Sequence, residues 1–310
     1  MAEQPEREGK RREGTRGNEL GIWFFKAFLR SFGLRGAYGL LYLVSLHYAL
    51  FDRTLIASTL PYIRRRFPGC RPLRERLHVY RLFVSQGKQL IDRYAAVSGS
   101  AVFEIRFEGG EEILSLIRNS ERGAILLTAH QGNWQVAMTA LEKLGKAVYL
   151  VKAPDQNPSM QDTLYPAGGA GKPRIISPER YLGGVIEILN LLKRGEVVSI
   201  MGDRGYGASA VEVSFLGERA WFPYSAFRLA AAAECPLIVM ETAKISSHAY
   251  LVDMSNVLYP RSEVRRNRGG QLQPWVQQFV NQLERFVQRH PYQYFLFRDV
   301  WARDGDGIQG

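Results

Sequence analysis

Residues 124–135 read AILLTAHQGNWQ, and this stretch decides the fold class. Ala124 to Thr128 is a continuous apolar run of strand length, without the alternation of a strand that has one wet face. Such a run suits a strand buried on both sides. His130 follows almost at once, and Gly132-Asn133 then opens a helical pattern from Trp134 to Leu144. Open α/β sheets place their chemistry at such junctions, where strands end and helices begin. A helix N-terminus there presents backbone N–H groups to a phosphate or an oxyanion. Histidine is the side chain best suited to take a proton near neutral pH. On residue types alone His130 fits two roles, a general base or a hydrogen-bonded structural residue.

Working outward, the pattern repeats. Ala101 to Phe107 alternates like a strand, Val148 to Lys152 and Ile175 to Ser177 read as strands, and Tyr181 to Lys193 as a helix closed by Gly195. Val197 to Met201 is a second buried strand, ending at Gly202-Asp203-Arg204-Gly205. A helix over Tyr224 to Ala233, strands over Leu237 to Thr242 and Tyr250 to Val257, and a long helix over Gln271 to Gln288 follow. Alternating strands and helices predict an α/β fold with a mixed central sheet flanked by helices. Asp155 to Lys172 contains a Gly-rich segment but lacks the Gly-Lys-Ser/Thr of a phosphate loop, and reads as a surface loop near the site mouth. Cys70 and Cys235 fit neither a disulfide framework nor a zinc pattern.

The chain has 310 residues and a net charge of +11, concentrated in its first third. Between Gly21 and Ser100 thirteen Lys or Arg face three acids, Asp52, Glu75 and Asp92. That surplus suits an anionic partner. Leu20 to Leu34, LGIWFFKAFLRSFGL, sets Lys26 and Arg30 one turn apart among Trp, Phe and Leu, the pattern of a helix lying in a bilayer interface. Ala37 to Phe51 is uncharged but, at 15 residues, short of the roughly 20 that a spanning helix needs. A further helix is expected from Leu77 to Ala96. The predicted organisation is a disordered tail over 1–19, a helical membrane-associating module over 20–96, an α/β domain over 97–301 and a flexible tail over 302–310. A monotopic anchor is the first reading of the module; a single tilted span and a pair of buried core helices are its alternatives. The basic region carries no stacking platform or zinc motif, so no nucleic-acid partner is expected.

HQGNWQ, residues 130–135, resembles the H-x-G-N-x-E block of the bacterial lipid A acyltransferases, within the lysophospholipid acyltransferase superfamily. VSIMGDRG (198–205), FLGERAWFP (215–223) and the closing segment His290 to Trp301 resemble further blocks in the same order. The resemblance implies transfer of a fatty acyl group from an acyl-carrier-protein or coenzyme A thioester to a hydroxyl of a glycolipid or lipid acceptor. It also implies work at the cytoplasmic face of a bacterial inner membrane. His130 would be the base, Gly132, Asn133 and Arg204 would contact substrate, and no cofactor would be needed. Two positions depart from the pattern. Ser225 stands where relatives carry Gly, so its side chain would border a substrate pocket or pack. Gln135 stands where an acid would orient the histidine. A Gln carbonyl can accept from the imidazole but cannot neutralise an imidazolium. Asp203 is a candidate to supply the missing carboxylate, with pairing to Arg204 or capping of a turn as its alternatives, and Glu241 is another. The chain is therefore expected to be an active transferase, or else an impaired relative that binds lipid or carrier protein as a scaffold.

Overall fold

The computed structural model describes residues 19–134, 136, 146–151, 174–177, 184–204, 209–261 and 268–302. Gln135, most of the helix expected at 134–144, the 155–172 loop and most of both expected tails lie outside the described residues. In chain order the first elements are α1 (Glu19–Phe51), α2 (Arg53–Arg66), α3 (Pro72–Val97), β1 (Glu104–Glu108), α4 (Gly110–Asn119) and β2 (Ala124–Thr128). Next come β3 (Val148–Val151), β4 (Arg174–Ile176), α5 (Val185–Lys193) and β5 (Val197–Met201). The chain closes with β6 (Ala210–Phe215), β7 (Glu218–Pro223), α6 (Ser225–Ala233), β8 (Leu237–Lys244), β9 (Ala249–Leu258) and α7 (Arg268–Arg289).

Seven strands form one sheet in the order β1-β9-β8-β2-β5-β3-β4. All neighbours pair parallel except β8 and β9, so the sheet is mixed, as the alternation of elements predicts. The apolar runs read as doubly buried are so. Ile125, Leu127, Val198 and Ile200 join a core with Leu191 of α5, Phe227 of α6 and Phe279 of α7. Ala124, Leu126, Val197 and Ile238 belong to a second core with Ile117 of α4. Two faces covered by helices remove any reason for a polar alternation.

The hairpin β6–β7 turns on Leu216 and Gly217, both at positive φ (52° and 80°), the left-handed pair that matches strand twist. The backbone N–H of Leu216 donates to Glu284 of α7 at 2.9 Å, which fixes the turn on the helix. Trp301 then stacks on Phe215 and donates its indole N–H to the Phe215 carbonyl at 3.1 Å. The closing segment is thereby pinned beside the hairpin.

The two apolar N-terminal segments form one helix, α1, kinked at Gly33, where φ is 62°. Asp52 then caps α2 by accepting from the Leu55 N–H at 2.9 Å. Ala37, Leu41, Ser45 and Ala49, one turn apart, form the buried stripe of α1. A Cβ on Gly87 of α3 would lie 2.2 Å from Leu41 Cδ1, so glycine is what lets the two helices close. Fully buried Asp92 of α3 accepts hydrogen bonds from Tyr38 of α1, Lys244 of β8 and Tyr250 of β9, tying the helices to the sheet. The opposite face of α1 leaves Phe32, Tyr42, Leu43, Leu46, Leu50 and Phe51 exposed. Among the described residues no single helix is long and apolar enough to cross a membrane; α1 and α2 together reach that length but bend by 89°.

Candidate active site

Strands β2 and β5 pair in parallel with Thr128 opposite Met201. Two residues beyond each strand end stand His130 and Asp203, and the shared register sets them side by side. His130 Nδ1 lies 2.8 Å from Asp203 Oδ1, and the His130 backbone N–H donates to Oδ2 at 2.8 Å. An ionised carboxylate only accepts, so Nδ1 carries a proton toward Asp203, and in the neutral ring the lone pair is left on Nε2. Among the described residues Nε2 has no hydrogen-bond partner. The Asp203 side chain is fully buried while that of His130 is about a quarter exposed, so the pair reaches solvent through the imidazole.

Burial alone would raise the Asp203 pKa. The His130 ring, its two hydrogen bonds and the Arg204 charge outweigh burial and hold the carboxyl below its ordinary range. Tyr294, fully buried, puts its phenol close enough to Asp203 to feel its charge but closes no well-formed hydrogen bond. Burial first, and then that charge, keep the phenol protonated. Arg204 points its guanidinium at the Phe295 carbonyl (3.4 Å), and its buried Nε has no partner among the described residues.

The closing segment is the clamp on this loop. Phe295 N–H donates to the His130 carbonyl at 2.7 Å, and Gly132 N–H donates to the Gln293 carbonyl at 2.8 Å. Gly132 sits at φ 51°, and a Cβ there would lie 1.7 Å from the Thr242 carbonyl oxygen. Its N–H is thus committed within the protein, and its lack of a side chain serves close packing. Asn133 is buried, donates to the Gln89 carbonyl of α3 at 2.8 Å and accepts from the Val136 N–H at 3.4 Å. These two residues, expected at substrate, hold the loop. Ser225 is exposed at the first position of α6. Gln135 lies outside the described residues.

Glu241 faces α7 rather than the histidine and accepts from Arg289 at 3.2 Å. Gln293, Tyr294 and Phe295 went unassigned in sequence, although they lie in the conspicuous aromatic run 292–297. Asp203 lies 73 positions from His130 and becomes its neighbour only once β2 and β5 are known to pair.

A histidine–carboxylate pair stands at adjoining ends of parallel strands, on a helix-covered mixed sheet, with its imidazole partly open to solvent. The chain matches the model of the bacterial lipid A biosynthesis acyltransferases over residues 94–303 and belongs to that family. It is thus an acyltransferase of the lipid A type in general. A comparison with curated proteins finds no match.

Proposed function

We propose that this acyltransferase moves a fatty acyl group from an acyl-carrier-protein or coenzyme A thioester to a hydroxyl of a glycolipid or lipid acceptor, with His130 as general base. The single observation that carries the reading is the 2.8 Å contact of His130 Nδ1 with the buried Asp203 carboxylate. It holds the ring in the tautomer whose Nε2 can accept the hydroxyl proton. The freed oxygen attacks the thioester carbonyl, the carbon–sulfur bond breaks, and the imidazolium returns its proton to the departing thiolate. Asp203 stabilises the imidazolium in between. Arg204 supplies a cation for an anionic part of either substrate.

With Asp203 in this place the scheme asks for no acid at position 135, which favours an active enzyme over the impaired relative. The exposed apolar face of α1, beside a strongly basic first third, supports a monotopic seat on an anionic bilayer. That this bilayer is a bacterial inner membrane, met at its cytoplasmic face, is part of the proposal and rests on the family alone. The test is transfer of a radiolabelled palmitoyl group, from coenzyme A and from acyl carrier protein, into glycolipid vesicles. His130→Ala is expected to abolish transfer with the fold intact by circular dichroism. Full transfer by that variant would sink the mechanism.

A further inference from the structure

A cleft of about 420 Å³ opens between α1, α3 and the turn after α7. Neither His130, Asp203 nor Arg204 is among its lining residues, and among the described residues no acid lines it. Three cations do: Arg81, Lys88 and Arg289. Their existing contacts leave most of that charge available. The Lys88 ammonium lies over the rings of Tyr42 and Tyr38, at 4.9 and 5.3 Å from their centres. Arg81 donates one N–H to the Tyr292 hydroxyl at 3.3 Å. Arg289 spends one nitrogen on Glu241 at 3.2 Å, and a guanidinium has five N–H donors. Tyr80 and Ser85 also line it.

The rim explains what kind of anion fits. Tyr42 both lines the cleft and heads a helical stripe with Leu46 and Leu50, successive turns of one face of α1. All three are exposed, and Leu43 beside them is 68% exposed. A compact polybasic cleft therefore continues directly into an open apolar surface. A soluble phosphate compound would use the first and leave the second wet. A phospholipid would use both.

We infer that the cleft binds the anionic phosphate headgroup of a membrane lipid, whose acyl chains lie along Tyr42, Leu46 and Leu50. This rests on the membrane seat of α1 proposed above but is independent of the chemistry at His130. Bound there, a headgroup holds α1 and α3 at the bilayer surface by a discrete contact rather than by diffuse charge.

The experiment measures binding of the full chain to phosphatidylcholine vesicles with and without phosphatidylglycerol, at 0.5 M salt to suppress diffuse attraction. A second arm titrates short-chain phosphatidylglycerol below its micelle concentration, against inorganic phosphate and coenzyme A as soluble probes. Wild type is expected to prefer the anionic vesicles and to saturate with one short-chain lipid per chain. The double variant Arg81→Gln/Lys88→Gln is expected to weaken both by about tenfold or more. A control of equal charge change on other elements, Arg118→Gln/Arg219→Gln, is expected to keep both. Equal loss in the control would reduce the effect to net charge and overturn the cleft. Equal binding of phosphate or coenzyme A would overturn the lipid assignment. Binding to neutral vesicles without any anionic preference would overturn the cleft alone, whereas no vesicle binding at all would overturn the membrane seat beneath it. Short-chain binding by wild type needs no variant to fold and decides the matter if the double variant does not.

Discussion

Replacing Asp203 by Asn changes one oxygen into an NH₂ group, and at this position the change reverses a hydrogen bond. The amide would donate toward His130 Nδ1, favouring the tautomer whose Nε2 carries the proton and cannot accept another. Asp203→Asn is expected to lower kcat by roughly 10³–10⁴, with little change in KM, because the side chain is buried behind the ring. Gln135→Glu, by contrast, is expected to change kcat by less than about threefold, since in the proposed scheme Asp203 already neutralises the imidazolium. A gain of 10² or more from Gln135→Glu, read in the same transfer assay, would return the role to position 135. Gly132 makes a different demand. At φ 51°, with a carbonyl where a Cβ would stand, Gly132→Ala must push β8 away from the histidine loop. A loss of at least about 3 kcal/mol in urea unfolding is expected. A loss below about 1 kcal/mol would mean that the loop relaxes freely. His130, Gly132 and Asp203 were all legible as motif residues, and Asp203 as one candidate partner for the histidine. Their juxtaposition was not, because a parallel register and a close backbone approach join segments that the sequence keeps far apart.

Elements were legible where burial imposes a clean pattern and obscure where it does not. The runs AILLT and VVSIM announced strands because both faces are covered. Helix α2 was missed because Pro61 and three consecutive arginines blur its period. The hairpin β6–β7 was missed because Leu-Gly lacks the Asn-Gly or Asp-Gly signal of a tight turn. Asp92 passed for one of three acids on a basic surface, yet it is a buried acceptor for three donors from different elements. Another buried acid carries a measurable pH signature. Burial pushes Glu241 of β8 up to about 7, with Asp253 adding and Arg289 and Arg285 opposing without cancelling it. The folded state therefore holds a proton that the unfolded chain releases near its ordinary value of 4.5. Folded chains bind more protons in this window, so stability falls as pH rises from about 4.5 to 7 and levels off above. Glu241→Gln removes the titration. Relative to wild type it is expected to gain on the order of 3 kcal/mol between pH 4.5 and pH 8. Urea midpoints in one detergent at the two pH values check this, and a pH-independent difference would reject the assignment. Asp203, held low, has the opposite sign: its contribution is present above its unfolded pKa and is lost as pH falls through the folded one.

At the scale of the whole molecule, one surface organises the rest. The buried stripe of α1 packs inward, and the closing segment joins α2 and α3 to the histidine loop. Tyr62 of α2 donates to the Pro291 carbonyl at 2.7 Å, and Gln89 of α3 to the Gln293 side chain at 3.2 Å. The face of α1 turned away from this frame is apolar, with Leu43 at 68%, Leu46 at 45% and Leu50 at 49% exposure. An exposed apolar face of this extent suits a place of contact, and the membrane seat proposed above would cover it without a partner chain. Because these three leucines are exposed, changing them together to Ser leaves the core untouched, and unfolding by urea should shift by less than about 1 kcal/mol. Membrane partitioning should respond far more. Burial of each leucine in the interface is worth about 1 kcal/mol or more, so the triple variant is expected to bind vesicles about 100-fold more weakly. The same variant should transfer acyl groups to detergent-dispersed acceptor at the wild-type rate and fail only on vesicles. If vesicle binding survived the three substitutions, the apolar face would be serving another protein surface. If transfer fell equally in detergent, α1 would be shaping the site rather than delivering it to the bilayer.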